Sequence, residues 1–286
     1  MNAFEKFLYA FQSTMTKPSI LGWYHILCFL LMITASVLVV VFRKKISEKG
    51  VKYTILTMSI ILIVFEIIKQ LIYSFNYDEI TQTVTWDYQW YAFPFQFCST
   101  PMYIMLIAGL CKKNLFRDCL YSYLGTFALF AGLVVMFYPG DVFSSTIFIN
   151  IHTMLWHGSM VVIGVLLWAT HSIEFKQKTF LKSCGVFLVV LLLAMLMNLI
   201  WKWAGGLETG ETFNMFYISP FYPCTLPVLN IIYEKTPYIV FLLCYILGFL
   251  LAGYIFTLIP ILINRINLKI KLKKIQKLNE NLKNNN

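Results

Sequence analysis

Two side chains of this sequence supply a nucleophile and a base, the combination used in acyl transfer. Cys98 lies among polar residues within an apolar stretch, and a cysteine near an imidazole can ionise and attack an acyl carbon. A cysteine of this kind can equally be a small buried residue, or form a disulfide with Cys224. We take Cys98 as the candidate nucleophile.

The candidate base is His157, about ten residues into a later apolar stretch and so roughly 15 Å deep at about 1.5 Å per residue. Three interpretations are open: a hydrogen-bonded packing residue, a general base or a metal ligand. The metal ligand is the least favoured, because His152 is five residues away and lies on a different helical face. We predict neither a metal site nor a cofactor.

Other polar side chains within the apolar stretches lie on the same side of the predicted membrane as Cys98 and His157. Glu66 and Lys69 are three residues apart and can pair on one helical face, and we favour a self-neutralising pair lining a wet cavity. The alternative is headgroup binding, with lysine taking phosphate and glutamate taking an amine. The other half of the chain's apolar stretches carries almost nothing comparable, which predicts a polar cavity open to one side. The predicted substrate-binding residues are Glu66, Lys69, Gln96, Asn150, His152, Asn198 and Lys202.

The elements that hold these residues are predicted to be membrane-spanning helices. Of 286 residues, 59% are hydrophobic and only 13% are charged, which is too little polar surface for a water-soluble fold. A spanning helix needs about 20 mostly apolar residues. The chain is therefore predicted to be an all-α, polytopic bundle of seven transmembrane helices. The predicted spans lie near 22–42, 54–75, 93–111, 117–137, 147–169, 181–201 and 237–263.

The charges between the spans predict the topology. The first, third and fifth connections and the tail are rich in lysine and arginine, whereas the second and fourth connections carry acidic residues and no lysine or arginine. The positive-inside rule then places the N-terminus outside and the C-terminus in the cytoplasm. We predict one transmembrane domain over 1–264, a basic cytoplasmic tail over 265–286, and a multi-pass protein of the cell membrane. The net charge of +10 follows from this topology, and no nucleic-acid-binding module is visible.

Prolines and one long connection modify this simple bundle. Pro94 and Pro101 bracket the polar part of the third span, which predicts that carbonyls near Phe97 are free to bind a ligand. Pro260 is expected to end or kink the last span. The connection over 202–236 is too aromatic and apolar for a flexible loop, and we expect it to re-enter the bundle or cap a cavity.

Short motifs in two of these spans suggest a family. The sequence resembles the YwaF-like family of bacterial integral membrane proteins, whose animal relatives include transmembrane protein 164, in Phe93-Pro94-Phe95-Gln96-Phe97-Cys98-Ser99 and in Trp156-His157-Gly158. The animal member is regarded as a phospholipid acyltransferase that carries the acyl group on a cysteine. The resemblance implies that Cys98 is this cysteine and His157 its base. Two departures are Gln96, where a histidine or another polar residue is expected, and Asn214-Met215-Phe216-Tyr217, a loosened Asn-Tyr-aromatic motif.

These observations favour a phospholipid acyltransferase or transacylase that works through a cysteine thioester in the outer half of the membrane. Its partners would be membrane phospholipids, and no nucleic acid is expected. The alternative is a non-enzymatic transporter or scramblase for lipids or small solutes that uses the same polar cavity. A seven-helix receptor is disfavoured, because the last span has no lysine for a retinal Schiff base and no Asp-Arg-Tyr triplet follows the third span. The sequence does not determine the oligomeric state.

Overall fold

The computed structural model describes residues 1–284, and helices dominate this part of the chain. The helices are α1 Ala3–Phe11, α2 Trp23–Phe42, α3 Glu48–Ser74, α4 Thr100–Leu110, α5 Leu115–Tyr123, α6 Leu129–Phe137, α7 Ile147–Ala169, α8 Gln177–Trp203, α9 Leu229–Lys235 and α10 Tyr238–Asn284. A π-helical turn over Leu124–Ala128 joins α5 to α6, so that they form one continuous rod. Strands β1 Phe75–Asp78 and β2 Thr83–Trp86 pair as an antiparallel hairpin, with Phe75 opposite Trp86. This hairpin was not anticipated from the sequence.

Six helical segments within residues 1–284 are long and apolar enough to cross a membrane. They are α2, α3, the α5–α6 rod, α7, α8 and α10, and they correspond to six of the seven predicted spans. The predicted range 147–169 coincides with α7. The chain is therefore an all-α membrane protein.

The predicted third span, 93–111, is only half helical. Helix α4 begins at Thr100 and has 11 residues, about 16 Å, whereas a bilayer core measures about 30 Å. Pro101 lies in the first turn, where its missing N–H costs nothing, and Pro94 disfavours helical backbone before it. Residues 93–99 are therefore non-helical chain.

The carbonyls of this non-helical chain are not free, contrary to the expectation from the prolines. The Phe97 carbonyl accepts a hydrogen bond from the Thr100 hydroxyl at 3.0 Å, and the Pro94 carbonyl accepts one from the Tyr103 hydroxyl at 3.0 Å. Irregular backbone at membrane depth is tolerated where protein groups satisfy it in this way.

The connections between the helices lie at two opposite ends of the bundle. At one end, Gln12 at the end of α1 donates to the carbonyls of Ile72 and Phe75, and Met15 bonds to Ser145. We call this the acidic end; it carries α1 and the second, fourth and sixth connections. At the other, basic end, Glu48 bonds to Arg117, which joins the first and third connections. The structure thus groups the connections as the charge pattern does, while the orientation across the membrane stays a prediction.

The core of the bundle is built around α7. Seventeen of its 23 residues are buried, whereas two of the 20 residues of α2 are buried. The glycines let neighbouring helices approach α7: a Cβ at Gly132 of α6 would lie 2.7 Å from the His157 carbonyl oxygen. Helix α7 is therefore the central helix, and α2 presents most of its surface to the surroundings.

The long sixth connection is partly buried, as its aromatic composition suggested. Phe213, Met215, Phe216 and Ile218 are each at most 4% exposed. Phe216 and Tyr217 adopt positive φ angles of 60° and 57°, a conformation that side-chain-bearing residues rarely adopt. This segment packs against α8 and against Phe95 and Phe97 of the non-helical chain.

The last helix is longer than its predicted span. Helix α10 runs over 47 residues, about 70 Å, and continues through Pro260 instead of ending there. The residues described after Arg265 are exposed. Most of the predicted tail, 265–286, is thus a continuation of the helix; its last two residues, 285 and 286, lie outside the described range.

Candidate functional site

A buried cluster of charged side chains lies toward the acidic end. The Glu66 carboxylate accepts from Lys69 Nζ at 2.7 Å, from Gln70 Nε2 at 2.7 Å and from His152 Nε2 at 3.1 Å. Gln70 also donates to the Ala92 carbonyl. Glu66 is 4% exposed, so this carboxylate is held by three donors away from bulk water. The self-neutralising pair expected of Glu66 and Lys69 is present, with His152 as an additional partner.

The candidate nucleophile lies in the non-helical chain that precedes α4. Cys98 is half-buried, two residues before the first helical residue Thr100, with Ser99 between them. The indole of Trp156 on α7 donates to the Cys98 carbonyl at 2.7 Å, and the same ring stacks on His152 with centroids 4.9 Å apart. Trp156 thereby joins the cysteine turn, the central helix and the Glu66 cluster.

The candidate base is buried within α7. His157 Nδ1 lies 2.8 Å from the Thr153 carbonyl oxygen, which can only accept, so Nδ1 carries the ring proton. The other ring nitrogen, Nε2, is buried and has no hydrogen-bond partner within residues 1–284. In this tautomer Nε2 has a free lone pair, which is what a general base requires.

Cys98 and His157 are linked through Trp156, which follows from its hydrogen bond to the Cys98 carbonyl and its place before His157 in α7. Within the described chain, no hydrogen bond joins their side chains; the contact runs from the Cys98 backbone to the residue before His157. Cys98 is also not paired with Cys224, because all seven cysteines are free thiols, and the disulfide considered from the sequence is absent from this structure. Cys98 therefore carries a free thiol.

A lateral groove of about 400 Å³ opens between α3 and α4 beside this cluster. Its walls are mostly apolar, and its polar side chains come from α3, Tyr88 and Tyr103. Ligand sites commonly have this volume range and this combination of apolar walls with a few polar groups. The groove is lined by Ile63, Glu66, Ile67, Gln70, Leu71, Ser74, Tyr88, Pro94, Met102, Tyr103 and Leu106.

Comparison with known protein families matches residues 19–259 to the TMEM164 family. The chain belongs to the TMEM164 family. The match includes the cysteine turn, the central helix and the groove, and it confirms the family suspected from the short motifs. No curated protein and no solved structure matches the chain.

In this TMEM164-family protein, the half-buried amide of Gln96 and the buried amides of Asn198 and Asn214 hold the sixth connection in place. Gln96 bonds to the Asn214 carbonyl and to the Phe216 N–H, and Asn198 bonds to both backbone groups of Met215. The Asn214 side chain bonds to the backbone of Ser219 and Pro223. The side chains of Gln96 and Asn198, predicted to bind substrate, are thus engaged with backbone. Asn214 was noted only as part of a motif, and its two bonds make it the centre of this turn.

Two further predicted substrate residues lie away from the groove. Asn150 is fully buried and its amide bonds to both backbone groups of Ser144, which fixes the start of α7. Lys202 is exposed, with its ammonium 4.7 Å from the centre of the Phe221 ring. Of the seven predicted residues, Glu66, Lys69 and His152 form one cluster, and Glu66 alone lines the groove. A substrate-binding role for the seven stays a prediction.

A buried charge also lies at the basic end, and the sequence analysis did not anticipate its burial. Arg117 is 5% exposed at the basic end, where it bonds to Glu48 at 2.7 Å. It was counted as a topology marker because it adjoins Lys112 and Lys113 in the sequence. Among residues 1–284, no group of three or more His, Cys, Asp or Glu side chains is arranged to hold a metal ion.

Proposed function

We propose that this protein is a phospholipid acyltransferase or transacylase in which Cys98 carries the acyl group and His157 transfers protons. The observation that supports it most is the 2.7 Å hydrogen bond from Trp156 to the Cys98 carbonyl. This bond docks the thiol-bearing turn onto the helix that carries the buried residues His152 and His157. Nucleophile and base on adjoining elements are what acyl transfer requires.

The surroundings of Cys98 suit a nucleophile. Cys98 is a half-buried residue with a free thiol, and it lies just ahead of the N-terminus of α4. The partial positive charge of a helix N-terminus favours the negative charge that develops on an attacking sulfur and on the ester oxygen.

The proposed reaction has two steps. The Cys98 sulfur attacks the ester carbonyl of a donor phospholipid, the bond from that carbonyl to the glycerol oxygen breaks, and His157 passes the thiol proton to that oxygen. A thioester and a lysophospholipid result. In the second step the hydroxyl of an acceptor lysophospholipid gives its proton to His157 and attacks the thioester, and the carbon–sulfur bond breaks. The proton returns to sulfur, so no cofactor is consumed.

This chemistry requires His157 Nε2 and the Cys98 sulfur to approach each other. The lone pair on Nε2 has no partner in the described chain, so nothing competes for it. Active-site hydrogen bonds are often long in a substrate-free protein and tighten when substrate binds. A rotation of the His157 ring would break only its bond to Thr153.

The lateral groove is the proposed lipid entrance. Its apolar walls suit acyl chains, and Glu66 and Gln70 suit the polar backbone of a lipid. Met102, one helical turn after Cys98, forms part of the groove wall. By the positive-inside prediction the groove faces the outer leaflet, where acyl-CoA is absent, so the donor would be another phospholipid.

The test is label transfer in proteoliposomes that contain the full-length protein, a phospholipid with a labelled acyl chain and an unlabelled lysophospholipid. Cys98→Ala should reduce transfer to the protein-free rate, and His157→Ala should reduce it about 10²- to 10⁴-fold. Cys111→Ala, another half-buried free thiol, is the matched control and should retain wild-type transfer. A hydroxylamine-sensitive acyl group should be found on Cys98 by mass spectrometry.

Wild-type transfer by the Cys98→Ala variant would refute the proposal. The same vesicles then report on the alternative, because a scramblase moves labelled lipid between leaflets whether or not Cys98 is present.

A further inference from the structure

A second cavity, of about 160 Å³, lies at the basic end, where α3 and α5 begin and α7 ends. We call it the basic-end pocket. It lies at the opposite end of the bundle from the Glu66 cluster, so it shares no residue with the proposed acyl-transfer site. It is lined by Ile46, Glu48, Val51, Lys113, Arg117, Asp118, Tyr121, Thr170, His171 and Ser172.

Two buried donors of this pocket have no partner in the described chain. Arg117 is 5% exposed; its terminal nitrogen bonds to Glu48, while its Nε has no acceptor. Tyr121 is 2% exposed and its hydroxyl is also unpartnered. The Arg117 guanidinium lies 5.2 Å from the centre of the Tyr121 ring, so the two side chains pack against each other. Leaving two such donors unpaired costs about 1–3 kcal/mol each, which a bound acceptor would offset.

The remaining polar surroundings also favour an anion. Lys113 lines the cavity, and the N-termini of α3 and α5, which bear partial positive charge, meet beside it. The two carboxylates of the pocket already have cationic partners: Glu48 pairs with Lys113 and Arg117, and Asp118 with Lys182.

We infer that the basic-end pocket binds a phosphate group, which accepts hydrogen bonds from Arg117 Nε and the Tyr121 hydroxyl. The ligand class follows from the donors, because a group with several anionic oxygens is the one that satisfies a guanidinium edge and a hydroxyl together. The volume fits a small oxyanion; drug-sized ligands occupy about 300–1,000 Å³. The phosphate belongs either to a lipid headgroup or to a small soluble phosphate ester.

The experiment measures thermal unfolding of the full-length protein in two settings. In detergent, inorganic phosphate is titrated against potassium chloride of equal ionic strength, which controls for screening. In nanodiscs, phosphatidic acid is compared with phosphatidylglycerol, which controls for attraction of the basic tail to any anionic lipid. A ligand that binds the folded state raises the melting temperature as its concentration rises.

Three variants assign the effect to the pocket. Tyr121→Phe removes only the hydroxyl and should weaken binding about tenfold, as should Arg117→Lys, which removes Nε. Lys176→Gln, an exposed cation of the same end paired with Glu174, should bind within about twofold of wild type. Without phosphate, Tyr121→Phe should be at least as stable as wild type, because it removes an unsatisfied buried hydroxyl.

Stabilisation by inorganic phosphate supports the inference with a soluble ester as ligand, and stabilisation by phosphatidic acid alone supports it with a headgroup. The inference is overturned if neither probe exceeds its control. It is also overturned if Tyr121→Phe binds as tightly as wild type, since the phosphate would then lie elsewhere.

Discussion

Helices α7 and α2 are both candidate membrane spans, yet they differ in how much of their surface is buried in the bundle. Helix α7 is mostly buried and carries Asn150, His152 and His157, whereas α2 has His25 and Met32 as its only buried residues. Lipid is as apolar as leucine, so a strongly apolar helix gains nothing from burial in protein. The less apolar helix is the one that needs protein partners for its polar side chains. In this protein the central helix α7 is therefore also the helix that carries the candidate base, His157.

The largest expected effect on stability comes from removing Glu66, the partner of His152 on α7. Glu66→Ala leaves Lys69, Gln70 and His152 without their shared acceptor, and we expect a loss of about 3–5 kcal/mol in the free energy of unfolding, as for other broken buried ion pairs. Equilibrium unfolding in SDS–detergent mixed micelles measures it. The control Glu208→Ala, at an exposed position, should change stability by less than about 0.5 kcal/mol. Equal losses in both variants would show that the cluster is not structural.

A smaller effect compares two leucines on the two helices. Leu167 of α7 is fully buried, and Leu167→Ala should cost about 2–4 kcal/mol because it leaves a cavity between helices. Leu31 of α2 is 61% exposed, and lipid can fill the space left by Leu31→Ala, so the loss should stay below about 0.5 kcal/mol. The same unfolding measurement applies. A costly Leu31→Ala would indicate that α2 is covered by another protein surface.

The smallest effect concerns the close approach of α6 to α7. Gly132→Ala places a Cβ 2.7 Å from the His157 carbonyl, so backbone must shift and about 1–3 kcal/mol should be lost. Gly185→Ala, on α8, has open space around it and should gain about 0.5–1 kcal/mol from helix propensity. The two substitutions are thus expected to change the free energy of unfolding in opposite directions. A gain in stability at both positions would contradict the tight packing at His157.

The sequence predicts most of this fold because hydropathy and charge are local signals. Six of the seven predicted spans are helical, and 147–169 has the bounds of α7. The span at 93–111 was wrong, since apolar composition alone does not separate helix from the buried irregular chain that Pro94 and Pro101 impose. Pro101 at a helix start was the signal that could have placed the boundary.

The candidate site was less predictable, because its contacts join distant parts of the chain. The proximity of Glu66 and Lys69 follows from their spacing, but the bond from His152 to Glu66 joins residues 86 apart. The docking of Trp156 on Cys98 likewise has no local signal. The burial of Arg117 was hidden by its position in a basic connection, where charges normally face water.

The length of α10 has a mechanical consequence. Even at a tilt of about 40°, a helix of about 70 Å spans roughly 54 Å along the bilayer normal, far more than the ~30 Å hydrocarbon layer. A helix of this length extends well past the headgroups, with its lysines held at a distance from the surface. A rotation of 10° about the membrane boundary would displace a point roughly 30 Å farther along the rod by about 5 Å. Any change in how the bundle packs against α10 is thus magnified at the basic residues near the end of the helix.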